Sequence, residues 1–215
     1  MTRSGPERAI RGRESAPGQA ANVAFASATT AGSRNAASAE AAHIHGAQGS
    51  VVTVSGGTFQ GGTAQDAGSI KVEGSLNISG DTQFLNNRSV AHDGGGAIQV
   101  VGAAASLTIS GSRARFEGNT VAGTSAAGGA IYVEDGAIQI FATDFVNNHT
   151  DEDSPRGGGA IFVDTFQSFD LFDCTFDANT TGVTPTPIDN AGSGGALAFW
   201  GPGAEPATVR NSIFE

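Results

Sequence analysis

From residue 43 onward, apolar side chains recur in short alternating pairs. A first pair reads Ile70/Val72, Ile98/Val100, Ile131/Val133, Ile161/Val163 and Leu197/Phe199. A second pair, followed by a phenylalanine, reads Val52/Val54/Phe59, Leu76/Ile78/Phe84, Leu107/Ile109/Phe116, Ile138/Ile140/Phe145, Phe169/Leu171/Phe176 and Ala207/Val209/Phe214. Ile44 is placed to open the earliest copy. Alternation at period two puts both apolar side chains of a pair on one face of a strand. The pattern predicts two short strands per copy, with copies spaced at roughly 30 residues.

Two polar words travel with the pairs. Phe84 leads to Asn87, Phe116 to Asn119, Phe145 to Asn148 and Phe176 to Asn179. Gly95 and Gly96, Gly128 and Gly129, Gly158 and Gly159, and Gly194 and Gly195 each precede an alanine and the next first pair. Strands this short do not build an ordinary sandwich. They suit a parallel β-helix in which each copy is one rung and rungs stack at about 4.8 Å. Five to six rungs give a body roughly 25 Å long by that spacing. A Greek-key sandwich also spaces strands regularly, but it gives no reason for one turn word to recur.

The recurring residues have roles in such a stack. Each Phe stacks on its counterpart in the next rung. Each Asn places its amide inside a turn, where identical amides form a ladder. The Gly-Gly-Ala word marks a turn with little room for side chains. The segments 88–94, 120–127, 149–157 and 180–193 vary in length and follow the same point of each rung. They are expected on one side, where length variation in repeat proteins marks a binding face. The repeat word breaks off after Phe214, so the β-helix over 43–215 is expected to be truncated at its C-terminus.

Residues 1–42 are rich in Ala, Ser, Gly and Arg and show neither strand nor helix periodicity, so a disordered low-complexity tail is expected. Composition narrows the function. The net charge is −10, and residues 1–45 carry five Arg against three Glu, so the acidity lies in the body. An acidic body argues against nucleic acid as partner. No apolar stretch is long enough to span a membrane as a helix. No apolar run follows the first basic residues, so the N-terminus does not read as a secretory signal. Cys174 is the single cysteine, and no intrachain disulfide is available.

The alternation of Gly-Gly-Ala-[Ile/Leu] with Phe-x-x-Asn, four copies of each over about residues 67–215, resembles the repeat of the chlamydial-type polymorphic outer membrane proteins. The resemblance implies a right-handed, single-stranded parallel β-helix, displayed at the cell surface or outer membrane as an autotransporter passenger, or secreted, and used in adhesion. Against the family's full pattern, no signal peptide and no C-terminal membrane barrel is expected within these 215 residues. The chain's first copy, Phe59-Gln-Gly-Gly62, also lacks the Asn.

Candidate chemistry lies outside the repeat words. Glu134 and Asp164 follow the first strand in consecutive rungs, about one strand spacing apart. That spacing suits the carboxylate pair of a polysaccharide lyase or glycoside hydrolase, or a Ca²⁺ site. Glu73 holds the equivalent position earlier in the chain, but Val101 interrupts the column and no Lys or Arg stands in it. Tyr132 and Phe162 occupy outward positions with Trp200 nearby, a set of aromatic faces for a glycan or protein. Asp151 and Asp153 are weak Ca²⁺ ligands in a variable segment. His43 and His45 form a two-ligand clip with no third ligand evident. Cys174 falls in a column of small residues and reads as a buried thiol. The sequon at Asn77 is outward, whereas those at Asn87, Asn148 and Asn179 coincide with the ladder. The leading expectation is an adhesin-like, non-catalytic scaffold without cofactor that binds an extracellular protein or glycan. The alternative is a carbohydrate-active enzyme using Glu134 and Asp164.

Overall fold

The computed structural model describes the backbone of residues 22–31, and residues 40–90, 94–122, 127–150, 157–182, 195–201 and 203–215 in full. Asp151, Asp153 and Gly194 lie outside the described residues. Among the described residues there is no helix, and every strand pairing is parallel. The chain is all-β, as the alternation predicts.

The copies build three sheets, the last copy entering only the first two. The first is six-stranded and runs in chain order through Ile44–Gly46, Ile70–Val72, Ile98–Val100, Ile131–Val133, Ile161–Val163 and Leu197–Phe199. The second carries the second pair and the phenylalanine. It begins as uninterrupted strands, Val51–Gln60 and Ser75–Leu85. Later copies break at a corner, giving Ala137–Phe141 and Thr143–Val146, then Ser168–Phe172 and Thr175–Asp177. The third sheet is built from two-residue strands just after the ladder position: Thr63–Ala64, Arg88–Ser89, Thr120–Val121, His149–Thr150 and Thr180–Thr181.

The register puts like on like. Ile78 pairs with Ile109, Ile109 with Ile140, and Ile140 with Leu171. These side chains are at most 1 % exposed and fill the space between the sheets. Six phenylalanines form one column, Phe59, Phe84, Phe116, Phe145, Phe176 and Phe214, with centroids 4.6–5.1 Å apart and planes within 14°. One copy alone leaves its inward face wet, so stacking supplies the burial that each strand lacks.

The turn after each phenylalanine has a second requirement. The residue just before the ladder position has positive φ in every copy: Gly61 (66°), Asn86 (53°), Gly118 (63°), Asn147 (52°) and Ala178 (52°). Glycine and asparagine adopt this left-handed conformation readily, and alanine, as at Ala178, does so at a cost. In the first copy Gly62 stands where the others have Asn. A Cβ there would overlap Gly68 O of the following turn. Its N–H donates to Asn87 Oδ1 at 3.0 Å, so the amide ladder begins on backbone.

The expected tail differs over one stretch. Asn22–Ala31 is a strand in parallel register with Val51–Gln60, with Val23 opposite Val52 and Phe25 opposite Val54. The apolar alternation here is diluted by Ala, Ser and Thr, but the free edge of the second sheet supplies a template for it. Residues 1–21 and 32–39 lie outside the described residues.

Candidate functional site

The first sheet carries the candidate residues on its outer side and at the bend that follows it. Val133 pairs with Val163, so Glu134 and Asp164 stand at neighbouring positions along the stack. Their backbones are pinned there: Glu134 N donates to Val100 O at 2.9 Å and Asp164 N to Val133 O at 2.8 Å. Glu134 is exposed and Asp164 half-buried. Thr165 donates its hydroxyl to Glu134 O at 2.7 Å, which fixes the bend and leaves the carboxylate outside it. Neither carboxylate has a Lys or Arg ion pair among the described residues.

The aromatic positions depart from expectation. Tyr132 and Phe162 stack at 5.8 Å, but they are 2 % and 0 % exposed. With Ala127 and Ala198 they form a second apolar cluster, separate from the interior core. Outward on a strand is therefore not exposed here, because the outer face of the middle strands is itself a buried layer. These rings are not free to stack on a sugar. Trp200 is 56 % exposed, with its backbone bonded to Val163 O.

The histidines also diverge. His43 turns inward, its ring edge-on to Phe59 at 5.8 Å and its Nδ1 3.1 Å from Ser69 Oγ. Burial pushes its imidazole down to about 4, so it is neutral near pH 7. His45 turns outward and meets carboxylates from two directions. Its Nε2 is 3.4 Å from Glu40 Oε2 and 3.4 Å from Glu73 Oε1. Lys71 lies beside them, with Nζ 2.8 Å from Asp66 Oδ2 and 3.2 Å from Glu40 Oε2. The pairing of His45 with Lys71 across the first sheet brings this group together. The two histidines therefore do not form a clip, and His45 instead meets Glu40 and Glu73. Glu73 was visible as the member of the column that holds Glu134, and Glu40 was hidden in the presumed tail.

The protonation states limit the chemistry. Burial alone would lower the Lys71 ammonium, but hydrogen bonds and charge from Asp66 and Glu40 outweigh it and raise the group above its ordinary value. Lys71 is a locked cation, not a general base. Cys174 is 1 % exposed, and burial pushes its thiol up to about 11. A thiol held protonated is a packing group, not a nucleophile. The exposed Arg113 guanidinium instead bridges Asp144 and Thr175 across neighbouring repeats.

The ladder and turn residues sit inside. Asn87, Asn119 and Asn148 are fully buried, and Asn179 partly. Gly96, Gly129 and Gly159 face the carbonyl of a glycine in the next copy so closely that a Cβ would overlap it. Gly128 and Gly158 adopt φ of 69° and 73° just before them. Gly95 and Gly195 complete the word at the turns of the third and sixth first-sheet strands.

The ends of the variable segments are also aligned. They leave the third sheet after Ser89, Val121, Thr150 and Thr181, which are stacked in register. They return at the glycine turns, where Gly96 N donates to Gly128 O and Gly129 N to Gly158 O. No described helix is long and apolar enough to cross a membrane. Set beside known proteins, the chain matches no family model, no curated protein and no solved structure.

Proposed function

We propose that the chain is a right-handed parallel β-helix of about six rungs. It serves as an adhesin-like, non-catalytic scaffold on a cell surface or in the extracellular space. It holds a protein or glycan partner through the variable segments on one side. The observation that carries this reading is the alignment of segment ends: four departures stack on one sheet and the returns stack on one row of turns. Such an arrangement lets segment length and sequence change while the ladder stays intact. Right-handedness follows the general preference of parallel crossover connections.

Replacing residues 151–156 and 183–193 with Gly/Ser sequences of equal length tests the proposal. Binding to a glycan array and to immobilised extracellular-matrix proteins should be present in the parent and lost in the replacement, with the thermal midpoint unchanged. Equal binding by both chains would overturn it. The neighbouring Glu134 and Asp164 favour one second reading, a carbohydrate-active enzyme. Cleavage of a polysaccharide by the parent, abolished in Glu134→Ala, would establish that reading instead.

A further inference from the structure

We infer that Glu40, His45 and Glu73 form a binding site for a single divalent transition cation of the zinc class. One ligand atom from each residue lies within 4.8 Å of the other two. His45 Nε2 stands 3.4 Å from each carboxylate oxygen. That is long for a charge-assisted hydrogen bond, which closes to about 2.8 Å. It matches the edge of a tetrahedron around a cation with ligands at about 2.05 Å, roughly 3.3–3.4 Å. A shared N–H reaching both carboxylates makes only two long contacts, whereas a cation among the three groups brings each into its own short bond.

The three residues are held by backbone, not by a free loop. Glu40 O accepts Ala67 N–H at 2.9 Å, and Glu73 N donates to Gly46 O at 2.7 Å. Ile44, His45 and Gly46 pair with Ile70, Lys71 and Val72. The ligand positions are therefore set by the pairing of the first two repeats, as a preorganised site requires. An imidazole among the ligands selects zinc-like cations over magnesium and calcium. Three protein ligands leave the fourth tetrahedral position to water or to an atom of a partner.

Lys71 is the competitor. Its contact with Asp66 is the shorter, at 2.8 Å, and that with Glu40 is 3.2 Å. A cation at the cluster displaces only the longer contact, and Lys71 keeps Asp66. The bound cation would join the strand-entry residue Glu40 to the second repeat, from which Glu73 comes.

The test uses the full chain without a polyhistidine tag, titrated with Zn²⁺ by calorimetry and with Co²⁺ by visible absorbance. One equivalent should bind, and Co²⁺ should give the intense bands of tetrahedral coordination. His45→Ala and Glu73→Gln should each weaken binding by about tenfold or more. Lys71→Met should tighten it, because the competing ammonium is gone. Glu205→Gln, which alters an exposed carboxylate of the last copy, should leave it unchanged. Thermal melts of the metal-free variants check that the fold is kept, and His45 is exposed enough for that to hold. Should His45→Ala prove unstable, Glu73→Gln and Lys71→Met decide. Loss of affinity in the first and gain in the second support the site. Undiminished binding in Glu73→Gln, or no Zn²⁺ binding to the parent, overturns it.

Discussion

Asn119 Nδ2 donates to Asn148 Oδ1 at 2.9 Å, and the same oxygen accepts the backbone N–H of Asn119 at 3.1 Å. The contact recurs one copy earlier, from Asn87 to Asn119, and one later, from Asn148 to Asn179. Each amide also donates to the carbonyl of a phenylalanine in the preceding copy, as Asn148 does to Phe116 at 3.0 Å. The ladder satisfies buried backbone groups that no strand pairing reaches.

Replacing Asn148 with alanine removes all of these bonds at one copy. Phe116 O and the Asn119 N–H lose their partners in a buried site. At about 1–3 kcal/mol per unsatisfied group, Asn148→Ala should destabilise by roughly 2–6 kcal/mol in urea unfolding. A midpoint within error of the parent would contradict the ladder as a source of stability.

The glycine turns predict a steric effect of similar size. A Cβ on Gly129 would overlap Gly159 O and approach His149 N to 2.6 Å. Both are backbone atoms fixed by the next copy, so neither can give way cheaply. Gly129→Ala should cost at least about 3 kcal/mol or prevent folding. Gly102→Ala is the informative comparison, because a Cβ there meets nothing within 4 Å and only its φ of 98° is strained. The measured loss should be clearly smaller at Gly102.

The left-handed turn position offers a gain. Ala178 is exposed and holds φ at 52°, where the equivalent residues of two other copies are Asn86 and Asn147. Asparagine accepts this conformation more readily than alanine. Ala178→Asn should raise stability by about 0.5–1 kcal/mol. Differential scanning calorimetry would register it as a higher midpoint, and a lowered one would refute the argument.

His43 makes the fold sensitive to acid. Its imidazole titrates at about 4 in the folded chain against an ordinary value of 6.5. The unfolded chain therefore binds more protons between those limits. The contribution is fully present above pH 6.5, falls as pH drops toward 4, and is gone below it. Its size is on the order of 3 kcal/mol. His43 Nε2 has no partner among the described residues. His43→Phe keeps a ring against Phe59 and should flatten this part of the pH–stability curve. An identical slope in parent and variant would mean that other groups set it.

How much of this could be read from the chain depends on which neighbour a residue answers to. The Phe column, the ladder Asn and the paired strands were legible because each residue meets its own equivalent in the next copy. The positive φ before the ladder Asn was not, because Gly61, Asn86, Gly118, Asn147 and Ala178 share a conformation and not an identity. Burial of Tyr132 and Phe162 was missed for another reason. Period two tells which face a side chain takes, but not whether that face is covered. The cluster at His45 escaped because its ligands come from two repeats and a strand entry. The strand Asn22–Ala31 escaped because its alternation is written in small residues.

The stacked identity of the Phe column carries a consequence for how such a chain changes over generations. A copy lost or duplicated in the gene would leave each phenylalanine facing another phenylalanine and each amide facing another amide. The interior joint would be the same as before. Length along the stack can therefore vary in whole copies without compensating changes in the core. Reach and surface then become separately heritable, one set by the number of copies and the other by what is spelled between Thr181 and the next glycine turn.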